Sequence, residues 1–580
     1  MNPKGLRTHD NFIYRKYNGF VMQLGISKSV SKKQKESALI MRKQTKIAAV
    51  VSAAALLALG ASMTSFAASK GTWMMVDGEW YCYDKNGDAY TNVFCSSNGK
   101  EYFVGDDGQL VRSSWVEYDG EQYFVNSSGA KITNDWRLTT PMDDDSADEE
   151  WYYFQSTGKM ATNKKITYKG KTYYFDSNGK MLTGWVTYDS NAVDEANEFD
   201  SSKTFYCDET GARVEKDWVY SVEPGVEDDD ADADEYWYYF KSSGKAQTDK
   251  GTNIKGQTYL FDKSGRMLTG WVAKSNSEYA EIGGENSTEK LSDYKGGDVY
   301  FCGDEDDGHA KKNKWYQTWK PSQYDEADED NDQWWYWIDK NGKVYIPSDS
   351  NAAVGYRYKL EDAALAKKND GNSYNITKKK VNSKDYFFNE QGEMLSQFIE
   401  VTEVPDDNKD LVEGMYYFGG ADDGSMKTGA QTVKDDNGDA YKFYFGTKNS
   451  TTEKKGVGIT GNKSNKLYYK GLLLTADDYK YQVATVEIND KDYKFIVNAN
   501  GAIQHSNVEY KEDGDILIDT SVVKKDGKVT DKGIDFETGK DNDLIKYSIK
   551  AEYTDKDGVA HNHFKNNVEE INVNKVMPED

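Results

Sequence analysis

Carboxylates are the side chains of this sequence whose clustering could do chemistry. Four acidic runs each follow a proline: DDDSADEE after Pro141, EDDDADADE after Pro224, DEADEDND after Pro321 and DDNKD after Pro405. Four of the seven prolines therefore share one context, at spacings of 83, 97 and 84 residues. Crowded carboxylates suit Ca2+, a hard cation that takes oxygen ligands. Asp143, Asp144, Asp145, Asp228, Asp229 and Asp230 are the weak candidates for such a site. No run has the D-x-D-x-D-G-x5-E pattern of a dedicated calcium loop. The competing reading is a solvated, self-repelling loop that keeps the chain soluble and blunts sheet edges. Beyond this weak possibility of Ca2+, no cofactor is expected.

Other reactive constellations do not form. There is no H-E-x-x-H, no G-x-S-x-G and no phosphate-loop pattern. His561 and His563 make a lone H-x-H, which reads as solvent-exposed. No catalytic residue is assigned and the chain reads as a non-enzyme. Net charge narrows the partners. Residues 1–67 hold 11 Lys/Arg and 2 Asp/Glu, so the remainder carries −34. Such a chain repels nucleic acid and anionic membrane.

The elements that must position these groups are repeats. Gly170–Trp185 reads GKTYYFDSNGKMLTGW and Gly256–Trp271 reads GQTYLFDKSGRMLTGW, identical at 11 of 16 positions. Tyr173 and Phe175 alternate with Thr172, Tyr174 and Asp176, the two-residue period of a strand. Asn178-Gly179 supplies hairpin-turn chemistry, and Lys180–Thr183 is read as the return strand. Looser copies include Trp80–Tyr90, Trp151–Met160, Trp237–Ala246 and Tyr386–Leu395. The predicted fold is all-β, a solenoid of stacked β-hairpins with acidic loop insertions and a divergent β-rich C-terminal segment. One hairpin cannot bury its aromatic face, but stacked hairpins cover one another. Aromatics make up 14% of the chain, with 43 Tyr and 14 Trp, and must supply much of the core. Cys207 and Cys302 take the slot held by Phe175, as Val125 and Phe388 do, which predicts buried thiols. Cys82 and Cys95 are close enough in sequence to pair, and that pairing stays open.

Targeting signals divide the chain further. Met41 begins a secretory pattern: Arg42, Lys43 and Lys46, then the apolar run Ile47–Leu59, then the small-x-small site Ser65-Phe66-Ala67. Residues 1–40 read as a mis-set upstream extension and 41–67 as the signal peptide. A hairpin array is expected over 68–346 and an irregular joint over 347–383, where Lys359–Lys368 suggests a short helix. A second array follows over 384–475, and 476–580 reads as a β-rich segment or cap.

Gly-Trp followed by a W-Y-Y-F-D-x-x-G-x-M-x-T type hairpin resembles the cell-wall-binding repeat family, which includes choline-binding and glucan-binding repeats of Gram-positive bacteria. The resemblance covers roughly residues 70–475. It implies a hairpin solenoid in which aromatics between successive hairpins cage a quaternary ammonium, since aromatic faces attract a weakly hydrated cation. The family spacing W-x4-G-x-W-Y is met in full by Trp73, Gly78, Trp80 and Tyr81, with Tyr102 next along. At Trp115 the second Trp is replaced by Gln122. Trp151, Tyr152, Trp185, Trp237, Tyr238 and Trp271 complete the cage candidates, with core packing as the rival reading for each Trp.

These readings converge on a secreted, non-catalytic protein at the cell surface. It would hold a cell-wall polymer, choline-bearing teichoic acid or glucan, or a host surface glycan. There is no L-P-x-T-G and no C-terminal apolar segment, so attachment is expected to be non-covalent. No membrane partner is expected after signal cleavage. The alternatives are a stalk or adhesin whose repeats have lost ligand binding and, more remotely, a wall hydrolase with an unrecognised C-terminal domain.

Overall fold

The computed structural model describes residues 71–504, apart from 191, 227–232, 285–286, 295–296, 305, 324–332, 349–350, 362–363, 368–372, 451–452, 477–480 and 488–491, and beyond 504 only separate strand segments. The upstream extension, the signal peptide, Asp228, Asp229, Asp230 and His563 lie outside the described residues.

The simplest hairpins come first. Thr72–Val76 pairs with Glu79–Tyr83, Val93–Ser97 with Lys100–Val104, and Ser114–Tyr118 with Glu121–Val125, all antiparallel. Their first strands, and the next one at Asp135–Thr139, start 21 residues apart. Each turn is a two-residue Asx-Gly, such as Asn98-Gly99 with φ of 51° and 73°. Positive φ at both positions gives the turn whose twist matches that of paired strands.

The hairpin register differs from the expected one. Lys171–Phe175 pairs along its whole length with Lys164–Tyr168, across Lys169-Gly170, and meets Lys180–Thr183 through a single bridge between Phe175 and Met181. Asp176 Oδ1 accepts the backbone N–H of Asn178 at 2.9 Å and of Lys180 at 2.8 Å. This side-chain cap makes a turn that leaves the sheet. The segment after it stitches the stack. Met181 N–H donates to the Trp151 carbonyl of the preceding hairpin at 2.9 Å, as Leu110 does to Trp80 and Met267 to Trp237. Packing locks the same step: a Cβ on Gly179 would lie 2.5 Å from Met160 Sδ, and one on Gly211 2.2 Å from Met181 Sδ. The turn glycine therefore admits the preceding hairpin's methionine as well as the positive φ.

The described chain falls into two compact units, one running up to Thr269 and including Gly303–His309, the other made of Gly270–Cys302 and the residues from Ala310 onward. In each, an insertion adds a strand to a hairpin without interrupting it. Gly184–Tyr188 pairs with both Val193–Glu195 and Thr204–Cys207. Trp271–Ser275 pairs with both Glu278–Glu281 and Asp298–Phe301. The second unit also holds a seven-stranded sheet that includes Ala353–Glu361, Tyr374–Val381, Lys384–Phe388 and Phe398–Glu403. The short helix expected over Lys359–Lys368 is corrected here: Ala353–Glu361 and Ala364–Lys367 are paired strands, with Leu360 opposite Leu365. Leu360 and Leu365 are both buried, so packing overrides the helical propensity of the Ala, Leu and Lys residues.

Cores form between successive hairpins. Phe94 and Phe103 meet Val116, Tyr123 and Val125 in one, and Phe124 meets Tyr152, Phe154 and Met160 in another. Cys207 and Cys302 are 1% and 0% exposed, as their slot predicts. Cys82 and Cys95 are not joined by a disulfide. Burial also perturbs the tyrosines. It pushes the Tyr174 phenol up to about 12, against the Arg213 N–H that bonds its oxygen, and it raises Tyr416 to about 12. A raised phenol favours the folded state below the unfolded value near 10 and loses that contribution as pH rises through the folded value. Unfolding free energy is therefore expected to hold steady to about pH 10 and fall between about pH 10 and 12. Alkaline unfolding followed by phenolate absorbance checks this. Full ionisation of all tyrosines below pH 11 with the fold intact would contradict it.

Candidate functional site

Tryptophans at the start of hairpins fall into two sets with different jobs. Trp115, Trp185 and Trp271 each donate the indole N–H to a backbone carbonyl at the mouth of a proline loop. The acceptors are Thr140 at 2.9 Å, Val222 at 2.8 Å and Trp319 at 2.9 Å. Each ring stands edge-on to a tyrosine of the next hairpin: Tyr152 at 4.9 Å, Tyr238 at 4.8 Å and Tyr336 at 4.9 Å between centroids. Trp185 is 8% exposed and Trp271 1%. These rings pin the insertions, and burial removes Trp185, Trp271, Tyr152 and Tyr238 from a surface that ligand could reach.

Trp136, Trp218 and Trp315 build the second set. Trp136 faces Tyr173 at 4.8 Å and Trp151 at 6.4 Å, over Tyr153 and Phe175. Trp218 faces Tyr259 at 4.8 Å and Trp237 at 6.3 Å, over Tyr239 and Phe261. Trp315 faces Tyr386 at 4.7 Å, over Trp337 and Phe388. Trp335 completes this third cleft, a cavity of about 730 Å³ lined by Trp315, Trp335, Tyr386, Met394, Lys384 and the loop from Gly420 to Asp423. Its indole N–H donates to Asp422 Oδ1 at 3.2 Å.

The same physical elements place all three. A first strand carries the central Trp, the strand after the acidic loop carries the rim Trp, and the next hairpin carries the Tyr. A methionine lies beside each floor phenylalanine, since Phe175 bridges Met181, Phe261 bridges Met267 and Phe388 pairs with Met394. Each cleft also meets an acidic turn from the hairpin beyond. Burial pushes the Tyr173, Tyr259 and Tyr386 phenols up, and Asp208, Asp307 and Asp423 respectively add to it. Aromatic faces under a negative field attract cations.

The full family spacing at the first hairpin gives a less open arrangement. Trp73 and Tyr102 stand edge-on at 5.7 Å, but Trp73 packs against Cys82, Cys95 and Val104. Among the described residues no ring contact joins Trp80 or Tyr81 to that pair; Tyr81 lies against Tyr83 at 6.4 Å. Of the cage candidates, Trp151 and Trp237 stand at the edges of the Trp136 and Trp218 clusters, and Trp151 is 37% exposed. Trp136, Trp218, Trp315, Trp335, Tyr173, Tyr259 and Tyr386, which build these aromatic clusters, were not among the cage candidates. The signal was present, since an aromatic precedes each proline loop.

The acidic candidates look different in place. Asp144 Oδ1 accepts the N–H and hydroxyl of Ser146 at 2.9 and 2.6 Å, and these bonds hold its carboxyl below the usual range. Asp143 and Asp145 are exposed. Among the described residues no group of three or more His, Cys, Asp or Glu is arranged to hold a metal. No helix among them is long and apolar enough to cross a membrane.

The hairpin geometry defines a repeat array with recurring aromatic clusters, the third of which lines a cavity. Residues 146–184 match the model of the choline-binding repeat, and residues 232–246 that of a putative cell wall binding repeat. These two stretches carry repeats of the cell-wall-binding type. A glucosyltransferase-S of Streptococcus mutans serotype c is 26% identical over 198 residues, which is 34% of this chain but only 11% of that protein. Among solved structures of Streptococcus pneumoniae proteins, CbpJ is 18% identical with a TM-score of 0.32, covering 60% of this chain and 98% of its own. The modular autolysin LytC is 17% identical with a TM-score of 0.30, covering 56% of this chain and 52% of its own.

Proposed function

We propose that this chain is an exported, non-catalytic protein that holds a choline-bearing wall polymer through three aromatic clefts. The observation that carries the reading is the threefold recurrence of Trp, Trp and Tyr around one cleft, at Trp136/Trp151/Tyr173, Trp218/Trp237/Tyr259 and Trp315/Trp335/Tyr386. A quaternary ammonium has no hydrogen to donate and is recognised by such faces. The acidic turns favour that cation over a neutral sugar. The acidic insertions serve as solvated loops, and the array does not need calcium.

Retention on isolated choline-bearing walls tests the proposal. The chain is expected to bind, to be displaced by free choline, and to be unmoved by glucose oligomers. EDTA is expected to change neither binding nor the melting curve. Binding that choline fails to displace would refute the choline assignment. A melting point that drops in EDTA would refute the metal-free reading of the loops.

A further inference from the structure

Two thiols meet where the first two described hairpins stack. Cys82 sits on Glu79–Tyr83 of one hairpin and Cys95 on Val93–Ser97 of the next. They are 0% and 1% exposed and share a small core with Val104, walled by Trp73, Tyr90 and Val93. The Cys82 thiol is hydrogen-bonded to Cys95. The contact has counterparts along the stack. One step on, Phe103 takes the place of Cys82 and Val116 that of Cys95, and they share a core. A further step on, Phe124 lies under the Arg137 guanidinium at 4.9 Å. Only the first of these three steps puts two atoms together that can bond covalently. The core around Cys207, by contrast, holds no second thiol.

We propose that Cys82 and Cys95 form a disulfide that clamps these two hairpins together. A small external disulfide, such as oxidised glutathione, is the oxidant. One cysteine thiolate attacks it, forms a mixed disulfide and releases one small thiol. The second cysteine attacks the protein sulfur and releases the other small thiol. Two S–H groups become one S–S bond, and the oxidant leaves as two thiols. The attacking species is the thiolate. The Cys95 hydrogen bond, burial and the Cys95 charge all push the Cys82 thiol up, so the closed stack resists both oxidation and reduction. Exchange therefore takes place while the hairpins are forming or transiently open.

The test is refolding of the full chain from denaturant with a reduced and oxidised glutathione mixture, followed by thiol counting and peptide mapping. Two of the four thiols are expected to disappear, with one joined peptide pair containing Cys82 and Cys95. Proteolysis between Trp73 and Val104 is expected to be at least about tenfold slower in the oxidised chain than in the reduced one. Four persisting thiols, or a joined peptide containing Cys207 or Cys302, would overturn the proposal. Equal proteolysis of the two forms would overturn the clamp. Cys82→Ser should remove the protection. If that variant does not fold, Cys95→Val, which installs the residue found one hairpin on, provides the same comparison.

Discussion

Trp271→Ala is expected to destabilise its unit by about 3–5 kcal/mol, while Trp151→Ala changes stability by less than about 1 kcal/mol. Trp271 begins the first strand of its hairpin and Trp151 lies on the second strand of its own, and their surroundings differ. Trp271 is 1% exposed, stands edge-on to Tyr336 and Phe301, and gives its indole N–H to the Trp319 carbonyl. Alanine there leaves a large cavity and strands a part-buried acceptor. Trp151 is 37% exposed and contributes one face to an open cleft. Its loss should weaken wall binding instead. Denaturant unfolding of the full-length variants, read beside wall retention, separates the two roles. If Trp151→Ala unfolds the array as readily as Trp271→Ala, the division of tryptophans into pinning and ligand-facing sets is wrong.

The second large effect concerns valency. Removing one rim tryptophan, at Trp151, Trp237 or Trp335, is expected to weaken choline binding at that cleft by roughly tenfold, on the order of 1–2 kcal/mol for a partly desolvated cation over an aromatic face. Removing all three should reduce retention on intact walls by about a hundredfold to ten-thousandfold, because linked weak sites act at high effective concentration. Melting should stay nearly constant throughout. Trp335→Ala has a further signature, since it frees Asp422 from the indole N–H. A triple variant that still binds walls like the parent would remove the clefts from the mechanism and return attention to the first hairpin.

Much of the fold was legible because hairpin repeats leave a strong local trace. Alternating Tyr and Phe in Lys171–Phe175 mark a strand, and the aromatic content marks a core. The pairing partner was harder to read. Lys164–Tyr168 alternates Ile166 and Tyr168 with Lys165 and Thr167 but lacks an Asn-Gly turn after it, so the sequence favours the forward partner across Asn178-Gly179. The Asp176 cap shortens that contact to a single bridge between Phe175 and Met181, and Met181 N–H goes to the Trp151 carbonyl of the preceding hairpin. At Lys359–Lys368 the residues favour a helix one by one, but a sheet partner on Leu360 and Leu365 prevails. For the site, Trp185 and Trp271 had the best local motif, and they are the buried ones. Trp136, Trp218 and Trp315 stood in plainer surroundings beside the proline loops.

By itself the sequence determined the class of element, the stacking of hairpins, the buried slots of Cys207 and Cys302, and the acidic insertions at near-regular intervals. These follow from periodicity and turn chemistry, which act within a few residues. Tertiary structure alone decided which tryptophan of each pair is sealed and which faces a cleft. That choice depends on whether a carbonyl from a proline loop, dozens of residues away, arrives to accept the indole N–H. It also depends on which hairpin contributes the third ring. Neither is encoded in the spacing of any one repeat, because each cleft is completed by the hairpin that follows it.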